Sequence, residues 1–282
     1  MAVIGFDLGG TKLASAIFTD EGEIIFKEIL SLNKKSGADV GLLITDQLKK
    51  LMKQSSKKID AVGVCVPGIS YRKTGTVWAP NIPGWENYPL MDDLMQAVNN
   101  EEIKIEIDSD RSCYILGEVW KGAARNCSDA AFLAVGTGIG AGIIINGEVL
   151  RGSNDIAGAI GWLALDRPFQ KKYIQCGCFE HYASGEGIVK AAKEFIEGDE
   201  TYAGVLKKKT NFTSHDVFNA YEQKDIVAEK TLKLAIEFWG MTAANFVSIF
   251  NPEKIIWGGG VFGPAVQFLD EIYDEASKWA QP

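Results

Sequence analysis

Histidine is almost absent: His181 and His215 are the only two among 282 residues. They leave little from which to build a His-rich metal site or a histidine-based catalytic triad. Long apolar runs are missing too. No stretch of twenty residues reads as a membrane span and the N-terminus has no signal-peptide pattern, so a cytoplasmic protein without a membrane partner is expected. Positive charge is scarce: 29 Lys and Arg against 37 Asp and Glu give a net charge of -8. That argues against a nucleic-acid partner, and the longest basic run, Lys207-Lys208-Lys209, reads as a solvated loop. Five cysteines, Cys65, Cys113, Cys127, Cys176 and Cys178, form an odd set at irregular spacing. Reduced thiols follow, not a disulfide framework. The chemistry must draw on carboxylates and backbone N–H groups.

What is present suffices for a large interior. With 46% apolar and 23% charged residues over this length, the chain exceeds what one core usually holds, and two domains are expected. Ala2 to Asp7 reads as a strand, broken by Gly9-Gly10-Thr11-Lys12 before Leu13 to Phe18 resumes in extended form. Such a glycine hairpin either presents N–H groups to an anion or is a plain turn with polar tips. It is not a phosphate loop of the GxxxxGK[ST] kind, because a strand follows where that motif needs a helix. A third strand, Glu23 to Leu30, an amphipathic helix, Ala38 to Ser55, and a β-branched strand, Asp60 to Val66, then give an α/β pattern. Pro67-Gly68 ends that strand, and Ala79 to Trp85 is a proline-braced loop. Its stiffness either holds the Asn81 amide toward a ligand or lets Asn81 cap a turn.

Ile103 to Glu118 carries an alternating strand into a helix through Asp108-Ser109-Asp110. A carboxylate at such a junction is either an ionised acceptor facing a cleft or an N-cap. Ala130 to Val135, Gly136-Thr137-Gly138-Ile139-Gly140-Ala141-Gly142 and Ile143 to Val149 repeat the N-terminal plan of strand, glycine turn and strand. A strand after the glycines excludes a Rossmann reading. Two halves opened alike suggest two facing domains that hold a polyphosphate. Gly158 to Cys178 reads as a surface excursion, Glu180 to Ile196 and Val227 to Phe250 as helices, Lys254 to Trp257 as a strand and Phe262 to Trp279 as a last helix. Between these last two, Gly258-Gly259-Gly260 either admits a base and ribose or serves close packing.

In their order these segments resemble the ROK (repressor, open reading frame, kinase) family of bacterial sugar kinases and regulators, in the actin-like sugar kinase superfamily. The likeness spans nearly the whole chain. IGFDLGGTK is similar to the first phosphate motif, VGTGIGAGI to the second, GVCVPG and APNIPGW to sugar loops, and WGGGVF to the adenosine motif. The resemblance implies an α/β fold of two actin-like (ribonuclease H-like) domains, residues 1–112 and 113–282, with a nucleotide cleft between them. It implies a kinase that moves the γ-phosphate of ATP to a hydroxyl of a hexose or related sugar, needing Mg²⁺, with a homodimer as the family expectation. Asp110 would be the base and Asp7 would orient Mg²⁺ through water. Gly9, Gly10, Thr11, Lys12, Gly136, Thr137 and Gly138 would surround the phosphates, and Gly258, Gly259 and Gly260 the adenosine. Gly68, Asn81, Ser109, Trp162 and Glu180 would line the sugar side.

Departures from the family pattern bear on the substrate. Where family kinases carry ExGH and CxCGxxGCxE, this chain has Ala159-Ile160-Gly161-Trp162 and Gln175-Cys176-Gly177-Cys178-Phe179-Glu180. The family zinc site is not expected, and Cys176, Cys178 and His181 as a local substitute lack a fourth ligand. Ser109 stands where the family has Asn. Each lost charged hydrogen bond is worth about 1.5–3 kcal/mol, so tight glucose binding of the usual kind is not expected. Trp162 either stacks on a sugar face or fills space left by the zinc loop. The alternative is a catalytically weak or inactive sugar-sensing regulator, without a DNA-binding helix-turn-helix ahead of Met1. Family chains also continue past the adenosine-motif helix, where this one stops at Pro282.

Overall fold

A computed structural model describes residues 1–281. The chain forms two compact units, one of Met1–Cys113 with Arg151–Ile156, the other of Tyr114–Leu150 with the residues from Ala157 on.

The first unit opens with the antiparallel strands β1 (Ala2–Leu8), β2 (Lys12–Thr19) and β3 (Ile24–Ser31), followed by helix α1 (Ala38–Gln54) and strand β4 (Ile59–Val66). A short hairpin, β5 (Ile69–Tyr71) and β6 (Thr76–Trp78), helix α2 (Leu90–Val98) and strand β7 (Lys104–Ser109) complete it. The main sheet has the order β3-β2-β1-β4-β7, with β1, β4 and β7 parallel. Alternation sets its faces. Val62, Val64 and Val66 of β4 lie in one core with Val40, Ile44, Leu48 and Leu51 of α1 and Leu90 and Leu94 of α2. The β5–β6 hairpin and α2 were not expected from the sequence. Each is too short to leave a clear period: α2 has nine residues between Pro89 and Asn99, which sits at a left-handed φ of 45°.

Helix α3 (Asp110–Lys121) follows β7 with no residue between. In the second unit, β8 (Ala130–Val135), β9 (Ile139–Ile145) and β10 (Glu148–Val149) form an antiparallel run. Asn146 and Gly147, both at positive φ, make the turn into β10. The expected glycine turn, Gly136 to Gly142, is shorter than the sequence suggests. Gly140 and Gly142 pair with Ala134 and Phe132 of β8, so the ladder overrides glycine's weak strand preference.

Next come α4 (Cys178–Ala183), α5 (Gly185–Glu197), α6 (Ser214–Glu222), α7 (Ile226–Phe250), strand β11 (Lys254–Gly258) and α8 (Leu269–Trp279). Two expected helices are interrupted. Ser184 is extended and its hydroxyl accepts the Gly187 N–H at 2.9 Å, capping a new helix within the predicted span 180–196. Residues 260–262 and 264–268 form 3₁₀ turns around Gly263-Pro264, so the last α-helix starts at Leu269 instead of Phe262. The second sheet has the order β10-β9-β8-β11, with β11 parallel to β8, repeating the plan β3-β2-β1-β4 of the first. Its core is built around α7, whose buried Trp239 donates from Nε1 to the Ala183 carbonyl at 3.2 Å.

Candidate active site

In the first unit the β1–β2 turn is closed by the Gly9 N–H on the Lys12 carbonyl at 2.9 Å. Among the described residues, the Gly10 and Thr11 N–H groups donate to no backbone carbonyl, and both residues are exposed. A Cβ on Gly10 would stand 3.1 Å from the Asn81 Cβ, so the hairpin tip meets the proline-braced loop at the predicted Asn81. That loop is rigid: buried Trp85 stacks on Tyr88 at 4.4 Å and donates from Nε1 to the Gly37 carbonyl at 3.0 Å. Gly68 is required by packing, because a Cβ there would lie 2.1 Å from the Trp78 carbonyl oxygen.

Asp7, the penultimate residue of β1, is exposed and paired in register with Cys65 of β4, which in turn pairs with Asp108 of β7. Asp110 is the first residue of α3, and its Oδ1 accepts the Arg111 N–H at 2.8 Å. The cap belongs to Ser109, whose buried hydroxyl accepts the Ser112 N–H at 3.3 Å and lies 3.2 Å from the Ser112 hydroxyl. The N-cap alternative for Asp110 is thereby corrected: Ser109 takes the cap, and Asp110 gives the helix only its Oδ1, at the Arg111 N–H. Burial lifts the Asp110 carboxyl above the usual aspartate range. Arg111 pulls it back through its N–H and its charge, and Asp7 adds to the rise. Burial in turn lowers the Arg111 guanidinium. Cys65 is pushed far up, first by a hydrogen bond to the Cys113 thiol and then by burial.

Two arginines were not foreseen. Arg111 is the immediate neighbour of Asp110, a signal open to sequence reading. Arg151 had none: it donates to Asp108 Oδ2 from Nε at 3.1 Å and Nη2 at 2.5 Å across 43 residues. Asp155, in the same returning segment, accepts the Arg72 N–H at 3.2 Å.

In the second unit the β8–β9 turn copies the first: Gly136 N–H donates to the Gly138 carbonyl at 2.9 Å, and the Thr137 and Gly138 N–H groups donate to no backbone carbonyl among the described residues. The predicted Glu180 supports this turn. Its Oε2 accepts the Ile139 N–H at 2.6 Å, and a Cβ at Gly138 or Gly161 would run into its side chain. Burial raises the Glu180 carboxyl, with the Ile139 N–H and Lys190 opposing. Trp162 is 58% exposed. A cavity of 540 Å³ is lined by Gly136, Thr137, Lys190, Lys193, His215 and Gly260. The three glycines after β11 divide. A Cβ at Gly258 would enter the Phe132 ring, and Gly259, at φ 91°, stands against the Val135 carbonyl; at Gly260 a Cβ would meet nothing within 4 Å. Cys176, Cys178 and His181 do not converge. His181 Nε2 lies 3.0 Å from Glu194 Oε1, and no three His, Cys, Asp or Glu side chains cluster for a metal among the described residues.

Two sheets of one topology, each opened by a glycine hairpin with free N–H groups, define an α/β protein of the actin-like class. The ROK family profile matches residues 3–281. The glucokinase of Halalkalibacterium halodurans is 33% identical over 292 residues, covering 99% of this chain and 86% of that protein. The xylose repressor of Caldicellulosiruptor bescii is 32% identical over 294 residues, covering 99% of this chain and 72% of the repressor. Among solved structures, a ROK family glucokinase from Streptomyces griseus in complex with glucose and AMPPNP is 27% identical with a TM-score of 0.72, over 100% of this chain and 90% of that one. The chain belongs to the ROK family, and both sugar kinases and a repressor are among its relatives.

Proposed function

We propose that this chain transfers the γ-phosphoryl group of ATP to a hydroxyl of a hexose or related sugar, with Asp110 as the general base. The observation that carries the reading is Asp110 itself: a half-buried carboxylate at the β7–α3 junction, raised by burial, with Ser109 taking the N-cap and only Oδ1 bonded to the helix. A carboxyl raised above its ordinary range is a better proton acceptor for the attacking hydroxyl. The N–H groups of Gly10, Thr11, Thr137 and Gly138 suit phosphate oxygens, and the open side of Gly260 suits a nucleoside beside the 540 Å³ cavity. Asp7 is an exposed hard-oxygen donor at the end of β1, which fits a largely hydrated Mg²⁺. That ion would neutralise charge on the phosphates. Asn81 and Gly68 would shape the sugar side.

Phosphoryl transfer depends on alignment and charge neutralisation, so one base and two backbone cradles are a sufficient set. Asp110→Asn should lower turnover by about 10²- to 10⁴-fold while nucleotide binding persists. ADP release over a panel of monosaccharides and titration with a non-hydrolysable ATP analogue check both halves. A mutant with full turnover would remove Asp110 from this role.

The second reading is a sugar-binding regulator acting through a protein partner. The repressor relative favours it, as does the engagement of Glu180 beneath the β8–β9 turn instead of toward a sugar. Nucleotide binding without ADP release across the whole panel would support it over the kinase.

A further inference from the structure

Glu194, His181 and Lys172 have no part in the chemistry above, yet they meet. His181 follows Glu180 in α4 and is buried. Its Nε2 lies 3.0 Å from Oε1 of Glu194, in the last turn of α5. Lys172, in the 3₁₀ turn Lys171–Ile174 of the excursion, donates from Nζ to both Glu194 oxygens, at 2.9 and 2.7 Å. Burial works to raise the Glu194 carboxyl, but the hydrogen bonds from Lys172 and His181 outweigh it and hold the group below the ordinary glutamate range. An ionised carboxylate only accepts, so His181 carries a proton on Nε2. The His181 ring stands edge-on to Tyr173 and Tyr182, at centroid distances of 5.8 and 4.9 Å, and Lys172 Nζ lies 4.7 Å from the centre of the Tyr182 ring. One carboxylate thus joins α5, α4 and the excursion.

Helix α4 needs such an anchor. It has six residues, too few to be stable alone, and no side chain caps its N-terminus. Phe179 is fully buried, but apolar contact is non-directional and tolerates a roll of the helix that a hydrogen bond resists. Glu180 and His181 are successive residues, about 100° apart around the helix axis, so holding one sets the direction of the other. Glu180 uses that direction to accept the Ile139 N–H at 2.6 Å, beneath the β8–β9 turn. We propose that Glu194 is a positioning residue for this turn: its grip on His181 and Lys172 fixes the roll of α4, which keeps Glu180 on the Ile139 N–H and the Thr137 and Gly138 N–H groups in the arrangement that receives phosphate. The role toward phosphate rests on the kinase reading, whereas the coupling from Glu194 to Ile139 does not.

The test compares Glu194→Ala, Glu194→Gln and Glu180→Ala in the full chain. The Glu194 side chain is 40% exposed and alanine favours helix, so Glu194→Ala should fold. Exchange of the Ile139 amide, followed by NMR without nucleotide, should be faster in Glu194→Ala than in the wild type while the β8 amides keep their protection. Glu194→Gln, which retains an acceptor for His181, should restore much of the difference. Affinity for a non-hydrolysable ATP analogue should fall about 2- to 30-fold in Glu194→Ala, the range for a residue that acts through a packed network. Because that loss passes through Glu180, Glu194→Ala should cost nothing further in a Glu180→Ala background. Unchanged exchange at Ile139, exchange that quickens equally across β8, or additive losses in the double variant would each overturn the proposal. A wild type that binds no nucleotide sinks the kinase reading, and exchange at Ile139 then decides the coupling by itself.

Discussion

Burial works against the charged form of Asp110. Burial raises its carboxyl above the ordinary value of 3.8 in the folded chain. A raised folded value means that the stabilising contribution is present below the unfolded value and is lost as pH rises through the folded one. Asp110→Asn should therefore be more resistant to denaturant than the wild type at neutral pH, with the gap closing in acid, even as turnover is lost. The same shift predicts that turnover falls on the acid side at a pH above that of an ordinary aspartate. Arg111→Met removes a charge that opposes the rise and should move this limb to higher pH; a limb that stays put would dissociate Arg111 from the base. Glu180 has a supporting role, because Glu180→Ala leaves the Ile139 N–H without its acceptor, at a cost of about 1–3 kcal/mol. Melting temperature and nucleotide affinity should both fall, and Glu180→Gln, which keeps an acceptor, should recover much of each. The place of Asp110 at a strand-to-helix junction was legible in the sequence, because an alternating strand runs into a helical pattern at that point. The Asp108–Arg151 pair was not, since nothing local links residues 43 apart.

At the scale of elements, the strands of the two main sheets and α1 were readable because their apolar residues alternate, run together or repeat with helical period. The breaks were not. Apolar residues continue through Ser184 and through Gly263-Pro264, so the periodicity hides a cap in one place and two 3₁₀ turns in the other. The glycine run after β11 shows what a motif alone leaves open, since its three members meet different surroundings. Gly259→Ala forces a side chain into a positive φ and against the Val135 carbonyl, and should destabilise by at least ~1–2 kcal/mol. Gly260→Ala should melt like the wild type but weaken nucleotide binding, because its Cβ would enter open space beside the cavity. Thermal melts paired with nucleotide titrations separate the two; equal melting losses would reject the distinction.

For the whole molecule, the repeated plan β3-β2-β1-β4 and β10-β9-β8-β11 was foreshadowed by two similar glycine turns. A single boundary near residue 112 remains our proposal for dividing the chain. The segment Arg151–Ile156 adds a condition, because it belongs to the first unit. A fragment of residues 1–113 should be less stable than the same fragment with 150–156 appended through a flexible linker, as Asp108 regains Arg151 and Arg72 regains Asp155. Denaturant unfolding of the two fragments checks this, and equal midpoints would show that the segment contributes nothing.

The returning segment also orders events during biosynthesis. When the strand bearing Asp108 leaves the ribosome, its guanidinium partner will emerge only after a further 43 residues have been added. At ordinary elongation rates that interval is about 2–9 s, long compared with the folding of a hairpin or helix. The nascent first unit must hold Asp108 without its bidentate guanidinium partner throughout that wait, and it is completed only after much of the second sheet has been synthesised.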